Sequence, residues 1–351
     1  MPPSDLERAA ESYAALKERF GRAPGLLRDV YPGNDAYAYL WPYSQALQAT
    51  LDMAALPDAG HDYQEDVAAR LEGLARYWRP EPAPPGYQST VMPPLGQRSD
   101  VYYDDNLWVA LALLEAAGRQ GEQGWLDRAA AIFHLIASGW DTDSSHPAPG
   151  GVFWVRAGWN RDRNTVSTAP AAKLALHLYQ RSGDDTYLDW ALRLYTWVER
   201  CLRAPDGLYW DHIDLQGKID RTEWSYNQGT MLGANALLYR ATGRQAHLDR
   251  AREIAATALR RYGEHNFLGQ PVAFNAIFFR NLLLLQAIDG EEDYRPSLRA
   301  YVEALWASAF DAATGLIRGE QGKPFTPLDH SAAVQLAALL CWRPEQYAGI
   351  A

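Results

Sequence analysis

The chain has 351 residues, 48% of them hydrophobic and 22% charged, with a formal net charge of -10. That composition excludes a disordered chain, and the acidic balance argues against nucleic acid or an anionic membrane as partner, because both demand a basic surface. Cys201 and Cys341 lack a CxxC spacing, so neither a disulfide framework nor a zinc site is indicated.

Helical periodicity predicts helices at 4–20, 41–55, 62–78, 104–118, 123–138, 167–182, 184–202, 225–242, 245–262, 273–289, 292–310 and 329–342, with strand-like alternation nearly absent. The first reads as a charged amphipathic helix rather than an export signal, which implies a cytoplasmic protein. No apolar run approaches the roughly 20 residues that cross a bilayer, so membrane insertion is not expected. Gly118 is the expected stop of the fourth helix.

The connections alternate in length. Short joints follow the even helices, and long loops rich in Pro, Gly and Trp follow the odd ones, at 21–40, 79–103, 139–166, 203–224, 263–272 and 311–328. Composition alternates in step. LWVALALL from Leu107, GTMLGANALL from Gly229 and SAAVQLAALLC from Ser331 are apolar nearly all round, as enclosed helices are. The odd helix at 184–202 instead carries a stripe of Leu188, Ala191, Leu192, Tyr195 and Leu202 opposite Asp189, Arg193, Glu199 and Arg200.

WLDRA from Trp125, YLDWA from Tyr187 and HLDRA from His247 recur 62 and then 60 residues apart, the length of one helical hairpin plus one long loop. Six such hairpins, with the apolar helices inside, close into an all-α (α/α)6 barrel formed by one domain over 1–351; an open solenoid of hairpins is the alternative. Closure puts every long loop and every inner-helix N-terminus at one end. Trp41, Tyr43, Tyr102, Tyr103, Asp104, Asp105, Trp154, Trp159, Asn164, Trp210, Trp224, Tyr226, Asn227, Gln228, Phe274, Asn275, Asp329 and His330 are expected to converge there. A concave, aromatic and polar surface of that kind is a binding site.

Aromatic faces stack on sugar rings, and Asn and Gln both donate to and accept from hydroxyls. Asp104 and Asp105 fall in the first turn of a helix, where capping by a carboxylate is the ordinary alternative to chemistry. Glycoside hydrolysis needs two carboxyl groups. Adjacent Cα atoms lie about 3.8 Å apart, so this pair reaches the roughly 5 Å carboxyl separation of retaining enzymes more readily than the wider inverting gap. No HExxH, GxSxG or GxGxxG motif points to another chemistry.

YYDDNLWVALALLEA, with SYNQGTMLGANALLYRATG, RNTVSTAPAAKLALHLYQRSGDDTYLDWA and FNAIFFRNL, resembles glycoside hydrolase family 76, the endo-α-1,6-mannanases, over nearly the whole chain. The resemblance implies the (α/α)6 barrel, with Asp104 as nucleophile and Asp105 as general acid/base. It departs from the family in showing no export signal, and in having Asn275 and Ala276 where the family carries an FKGIF-like segment. The expectation is a monomeric retaining glycosidase, free of metal and cofactor, that acts on a neutral α-1,6-mannosidic oligo- or polysaccharide. The alternatives are a sugar epimerase on the same barrel, for which His330 is available while His212 and His265 lie in loops with no obvious pairing, and a non-catalytic glycan-binding protein.

Overall fold

The computed structural model describes residues 4–23, 25–33, 35–121, 123–263 and 266–351, and these are mostly helical. In chain order the α-helices are α1 (Asp5–Phe20), α2 (Leu40–Ala54), α3 (Gln64–Leu74), α4 (Tyr103–Gln120), α5 (Gln123–Ser138), α6 (Thr165–Ser182), α7 (Asp185–Cys201), α8 (Ser225–Thr242), α9 (Gln245–Tyr262), α10 (Val272–Asp289), α11 (Arg295–Ala309) and α12 (Pro327–Cys341).

Very short strands, which the sequence did not announce, pair inside the loops. They are β1 (Gly21–Arg22) with β2 (Leu26–Leu27), β3 (Trp78–Arg79) with β4 (Gly86–Tyr87), and β8 (Phe310–Asp311) with β9 (Leu316–Ile317). A three-stranded antiparallel sheet joins β5 (Asp162–Asn164), β6 (His212–Asp214) and β7 (Ile219–Asp220). Two or three residues per strand are too few for alternation to be read from sequence.

Packing follows the alternation of composition. α2 packs on α4, α4 on α6, α6 on α8, α8 on α10, α10 on α12, and α12 returns to α2. The amphipathic helices lie outside that ring: α1 and α11 against α12, α3 against α2, α5 against α4, α7 against α6 and α9 against α8. By length and composition α10 could cross a membrane, yet 72% of it is buried inside the molecule, where its apolar character serves packing. Leu282, Leu283, Leu284 and Leu285 are all fully buried, each stabilising the fold by about 1.5–3 kcal/mol relative to exposure. On α7 the buried side is Ala191, Leu194, Trp197 and Val198, with Leu188, Leu192 and Tyr195 only half-buried at its edge.

The third and fourth expected helices differ at their ends. α4 runs through Gly118 to Gln120 and stops at Gly121, whose φ of 69° is the left-handed turn that ends a helix; one interior Gly costs only about 1 kcal/mol and does not terminate one. The helix expected at 62–78 is confined to α3 between 3-10 turns at Gly60–Tyr63 and Ala75–Tyr77. Trp78 is drawn out of helical geometry by pairing with Tyr87 across β3 and β4.

Charge enters the ring's interior. Arg280 of α10 bonds Asp52 of α2, and its Nη1 lies 3.5 Å from Glu115 of α4. Gln48 donates to both carboxylates at 3.0 Å. Burial pushes Asp52 up to about 6 against the pull of Arg280, and it lowers the enclosed Lys173 of α6 to about 7. A buried pair adds little net stability, but breaking one strands a charge. Arg280→Ala is therefore expected to cost about 3–5 kcal/mol in urea unfolding at pH 7. A loss below about 1 kcal/mol would show that Asp52 and Glu115 are not held by this guanidinium.

Candidate active site

Tyr102 precedes α4 in extended conformation, bridged to Val155, and the Tyr103 amide donates to the Trp154 carbonyl at 2.9 Å. Asn106 secures the entry from the other side: its Oδ1 accepts from the Tyr87 amide at 2.8 Å, and its Nδ2 donates to the Tyr87 and Tyr102 carbonyls. The chain thus enters α4 between two pinned loops, and Asp104 and Asp105 occupy its first turn. Both border a cavity of about 610 Å³ together with Tyr39, Trp41, Pro42, Ser89, Tyr102, Trp108, Trp154, Asp162, Asn164, Val166, Asp211, His212, Tyr226 and Phe274.

The two carboxyls have different surroundings. Asp104 Oδ2 accepts from the Trp154 indole at 3.2 Å, while its Oδ1 is buried without a partner among the described residues. Burial raises Asp104 to about 7; the indole and first-turn amides pull it down, and the charge of Asp211 adds to the rise. Asp105 is only 9% exposed. Burial, and after it the neighbouring Asp104, hold its carboxyl well above the usual range. Close carboxyls in a poorly hydrated site separate their proton affinities, so one is fitted to be an anion while the other keeps a proton.

Aromatic rings form the walls. Tyr226 and Phe274 stack 3.8 Å apart at 12°, and Tyr102 meets Trp154 edge-on at 5.0 Å. Trp41 Nε1 and Asn164 Oδ1 are buried without partners among the described residues. Asn164 is the N-cap of α6, yet its side chain does not cap the helix. A donor and an acceptor left unmet at a cavity ask for ligand hydroxyls. Among the described residues no Lys or Arg lines the cavity, which suits a neutral ligand.

Several residues expected at the cavity lie behind it, because loops consume their hydrogen bonds. Tyr103 turns its ring away, under Gly139, where an added Cβ would come within 2.5 Å of that ring. Gln228 exchanges hydrogen bonds with the Tyr209 backbone and donates to the Trp224 carbonyl, so it holds the 202–224 loop. Asn227 donates to Asp211 at 3.2 Å, and Trp224 braces Phe274 edge-on at 5.4 Å. Asn275 is spent on Ser225, Tyr301 and the Phe267 carbonyl. His330 is fully buried, with Nδ1 accepting from the Ile317 amide and Nε2 donating to the Ser12 carbonyl; burial lowers it to about 4.

Tyr43 is buried against the Gly25 and Arg70 carbonyls, and Asp329 pairs with Thr326. Trp210 packs under Arg221, and Trp159 stands exposed with its indole on Asp100. His265 lies outside the described residues.

Tyr39, Pro42, Ser89, Asp162 and Asp211 were missed, and His212 was considered only for the epimerase reading. One signal was available in YWDHID, where Asp211 sits among aromatic residues in a long loop. Asp211 is placed by β6, which pairs Asn164 with His212, and by its carbonyl accepting from the Thr165 amide at 2.8 Å. Behind that sheet the buried Arg163 bonds Asp141 at 2.7 Å and the carbonyls of Pro147, Ala148 and Asp214.

Residues 7–324 match the description Glycosyl hydrolase family 76. The chain belongs to glycosyl hydrolase family 76. This family 76 chain is 32% identical over 250 residues to the mannan endo-1,6-alpha-mannosidase DCW1 of Saccharomyces cerevisiae, covering 67% of this chain and 51% of that protein. It thus spans about half the length of the curated relatives it matches.

Its fold matches a family 76 mannosidase of Bacteroides thetaiotaomicron with a TM-score of 0.85 at 23% identity, covering 96% of this chain and 98% of that one. It also matches, at a TM-score of 0.77 and 22% identity, an inactive variant of an α-1,6-mannanase of Salegentibacter in complex with α-1,6-mannotriose. Two aspartates are replaced by asparagine in that variant, and the match covers 96% of this chain and 99% of that one.

The raised proton affinities of the pair have a cost for the fold. A carboxyl whose folded pKa exceeds its unfolded value stabilises the native state fully at low pH and loses that contribution as pH rises. With Asp104 at about 7, the loss spans roughly pH 4 to 7. Asp104→Asn and Asp105→Asn should therefore melt at higher temperature than the parent at pH 8, with the difference shrinking toward pH 4. Equal melting temperatures at pH 8 would show that the carboxyls are ionised without strain.

Proposed function

We propose that this chain is a retaining endo-α-1,6-mannanase built as a single catalytic (α/α)6-barrel domain. The observation that carries the reading is the pair of adjacent, unlike carboxyls at the start of α4 inside an aromatic cavity. The ring in which α12 packs back on α2 supports the barrel. The names of the relatives support mannan as substrate, as do the unmet hydrogen-bonding atoms of Trp41 and Asn164. Epimerase chemistry loses His330, whose ring nitrogens are both engaged away from the cavity, and is left with His212 on the cavity wall.

In this mechanism Asp104, the carboxylate held by the Trp154 indole, attacks the anomeric carbon. Asp105 gives its proton to the glycosidic oxygen as the carbon–oxygen bond breaks. The ester between Asp104 and the sugar is then hydrolysed by water, which returns a proton to Asp105 and leaves a product of retained configuration.

Assay on defined α-1,6-mannans decides the activity: release of reducing ends is expected, and interconversion of free mannose without chain cleavage would favour an epimerase. Asp104→Asn should be inactive even on a substrate with a good leaving group. Asp105→Asn should still form the glycosyl ester from such a substrate, stall there, and be rescued by azide to a product of retained configuration. An inverted first product from the parent, followed by NMR, would refute the retaining mechanism.

The indole adds a further test. A hydrogen bond to a charged group contributes about 1.5–3 kcal/mol, so Trp154→Phe should lower kcat/KM by roughly ten- to a hundredfold. The acid limb of its pH profile should also move upward, because the Asp104 anion has lost a donor. An unmoved limb would deny the indole that role.

A further inference from the structure

The wall of the cavity formed by the three-stranded sheet carries a group that the mechanism above does not use. His212 pairs across β6 with Asn164 of β5 and with Asp220 of β7, so these side chains share one face of the sheet. Ile213 faces the other way and is buried. The Nδ1 of His212 lies 2.9 Å from Asp211 Oδ2, and Asp211 Oδ1 accepts from Asn227. A carboxylate against Nδ1 fixes the proton there and orients the ring. Nε2 has no protein partner among the described residues, and the side chain, a quarter exposed, borders the same cavity as Asp104 and Asp105.

The charges around it are nearly all negative. Asp211 comes from the residue before β6, Asp162 from β5 and Asp220 from β7, while Asp104 and Asp105 line the cavity from α4 and Tyr226 from α8. Lys218 acts on Asp220. The Asp211 bond, followed by the charges of Asp211, Asp162 and Asp220, raises the imidazolium above its ordinary range against the opposing effect of burial. Among the described residues that line the cavity, His212 is the one side chain able to carry positive charge.

We propose that His212 is a specificity-determining residue of the glycan site: held through Nδ1 by Asp211, it donates from Nε2 to a sugar hydroxyl and sets the potential felt by the carboxyl pair. The proposal rests on the mannanase reading. Two consequences separate it from a merely structural role. Loss of the Nε2 donor weakens sugar binding, and loss of the cation raises the proton affinity of nearby carboxyls, which moves the acid limb of the pH profile upward. His212→Ala removes donor and charge, whereas His212→Gln keeps a donor without the charge.

In the cleavage assay, His212→Ala should raise KM about tenfold with a smaller change in kcat. His212→Gln should recover most of that KM, and both variants should shift the acid limb to higher pH. In the full chain carrying Asp104→Asn and Asp105→Asn, α-1,6-mannotriose titrated by calorimetry should bind about tenfold more weakly once His212→Ala is added. Its affinity should fall as pH rises through the His212 titration, where Nε2 loses its proton, and His212→Gln should abolish that dependence.

Mannotriose binding and a pH profile that neither variant changes would overturn the proposal while leaving the mannanase reading intact. A parent that cleaves no α-1,6-mannan would count against that reading, with His212 still tested by mannotriose binding. If the asparagine chain binds no mannotriose, the proposal falls with the reading. Melting curves establish that each variant is folded, and His212→Gln supplies the test where His212→Ala is not.

Discussion

Arg280 crosses the inside of the ring from α10 to Asp52 on α2 and approaches Glu115 on α4. Helices that close on themselves through apolar contacts alone could slide along one another at little cost, since such packing is non-directional. A guanidinium shared by carboxylates from two other helices can be satisfied in few registers, and the desolvation of each alternative is costly. Trp342 adds to the same fixing, with its indole on the Asp52 carbonyl at 3.1 Å. Helix register matters to the site because the cavity is assembled from the first turns of α2, α4, α6, α8 and α10.

On that frame the loops are held by side chains that saturate backbone groups. Asn106 ties Tyr87 and Tyr102 to α4, Gln228 ties Tyr209 and Trp224 to α8, and Arg163 gathers the carbonyls of Pro147, Ala148 and Asp214. Each is buried and each uses several hydrogen-bonding atoms on main chain, so losing one would leave several buried groups unsatisfied at once. The cavity keeps unmet groups of its own. Asp104 Oδ1, Asn164 Oδ1 and Trp41 Nε1 stay unmet among the described residues. Such groups are tolerated where a ligand completes them.

The same division explains why the site is a site of stored electrostatic strain. Asp104 and Asp105 share one helix turn with little hydration, and Asp211 adds a third carboxylate to the neighbourhood. Conserving stability alone would favour neutral residues at Asp104 and Asp105. The pair is understandable where the proposed mechanism needs a nucleophile and a proton donor within one cavity, with Asp211 engaged by His212 and Asn227.

The sequence by itself determined the helices, their alternation of long and short connections, and the placement of Asp104 and Asp105 in a first turn, because these depend on local periodicity and helix-end chemistry. It also determined which helices are enclosed, since apolar character all round α8, α10 and α12 leaves no face for water. Only the tertiary structure decided which polar residues at those helix starts meet the cavity. Asn164 does and Asn275 does not, although both are amides near a helix N-terminus, because Ser225, Phe267 and Tyr301 occupy every group Asn275 offers. Likewise Asp211 and His212 reach the site through the pairing of β5 with β6, a three-residue contact between segments far apart in the chain. Local periodicity carries information over one or two turns, whereas hydrogen-bond competition at a helix start is settled by whichever distant loop folds over it.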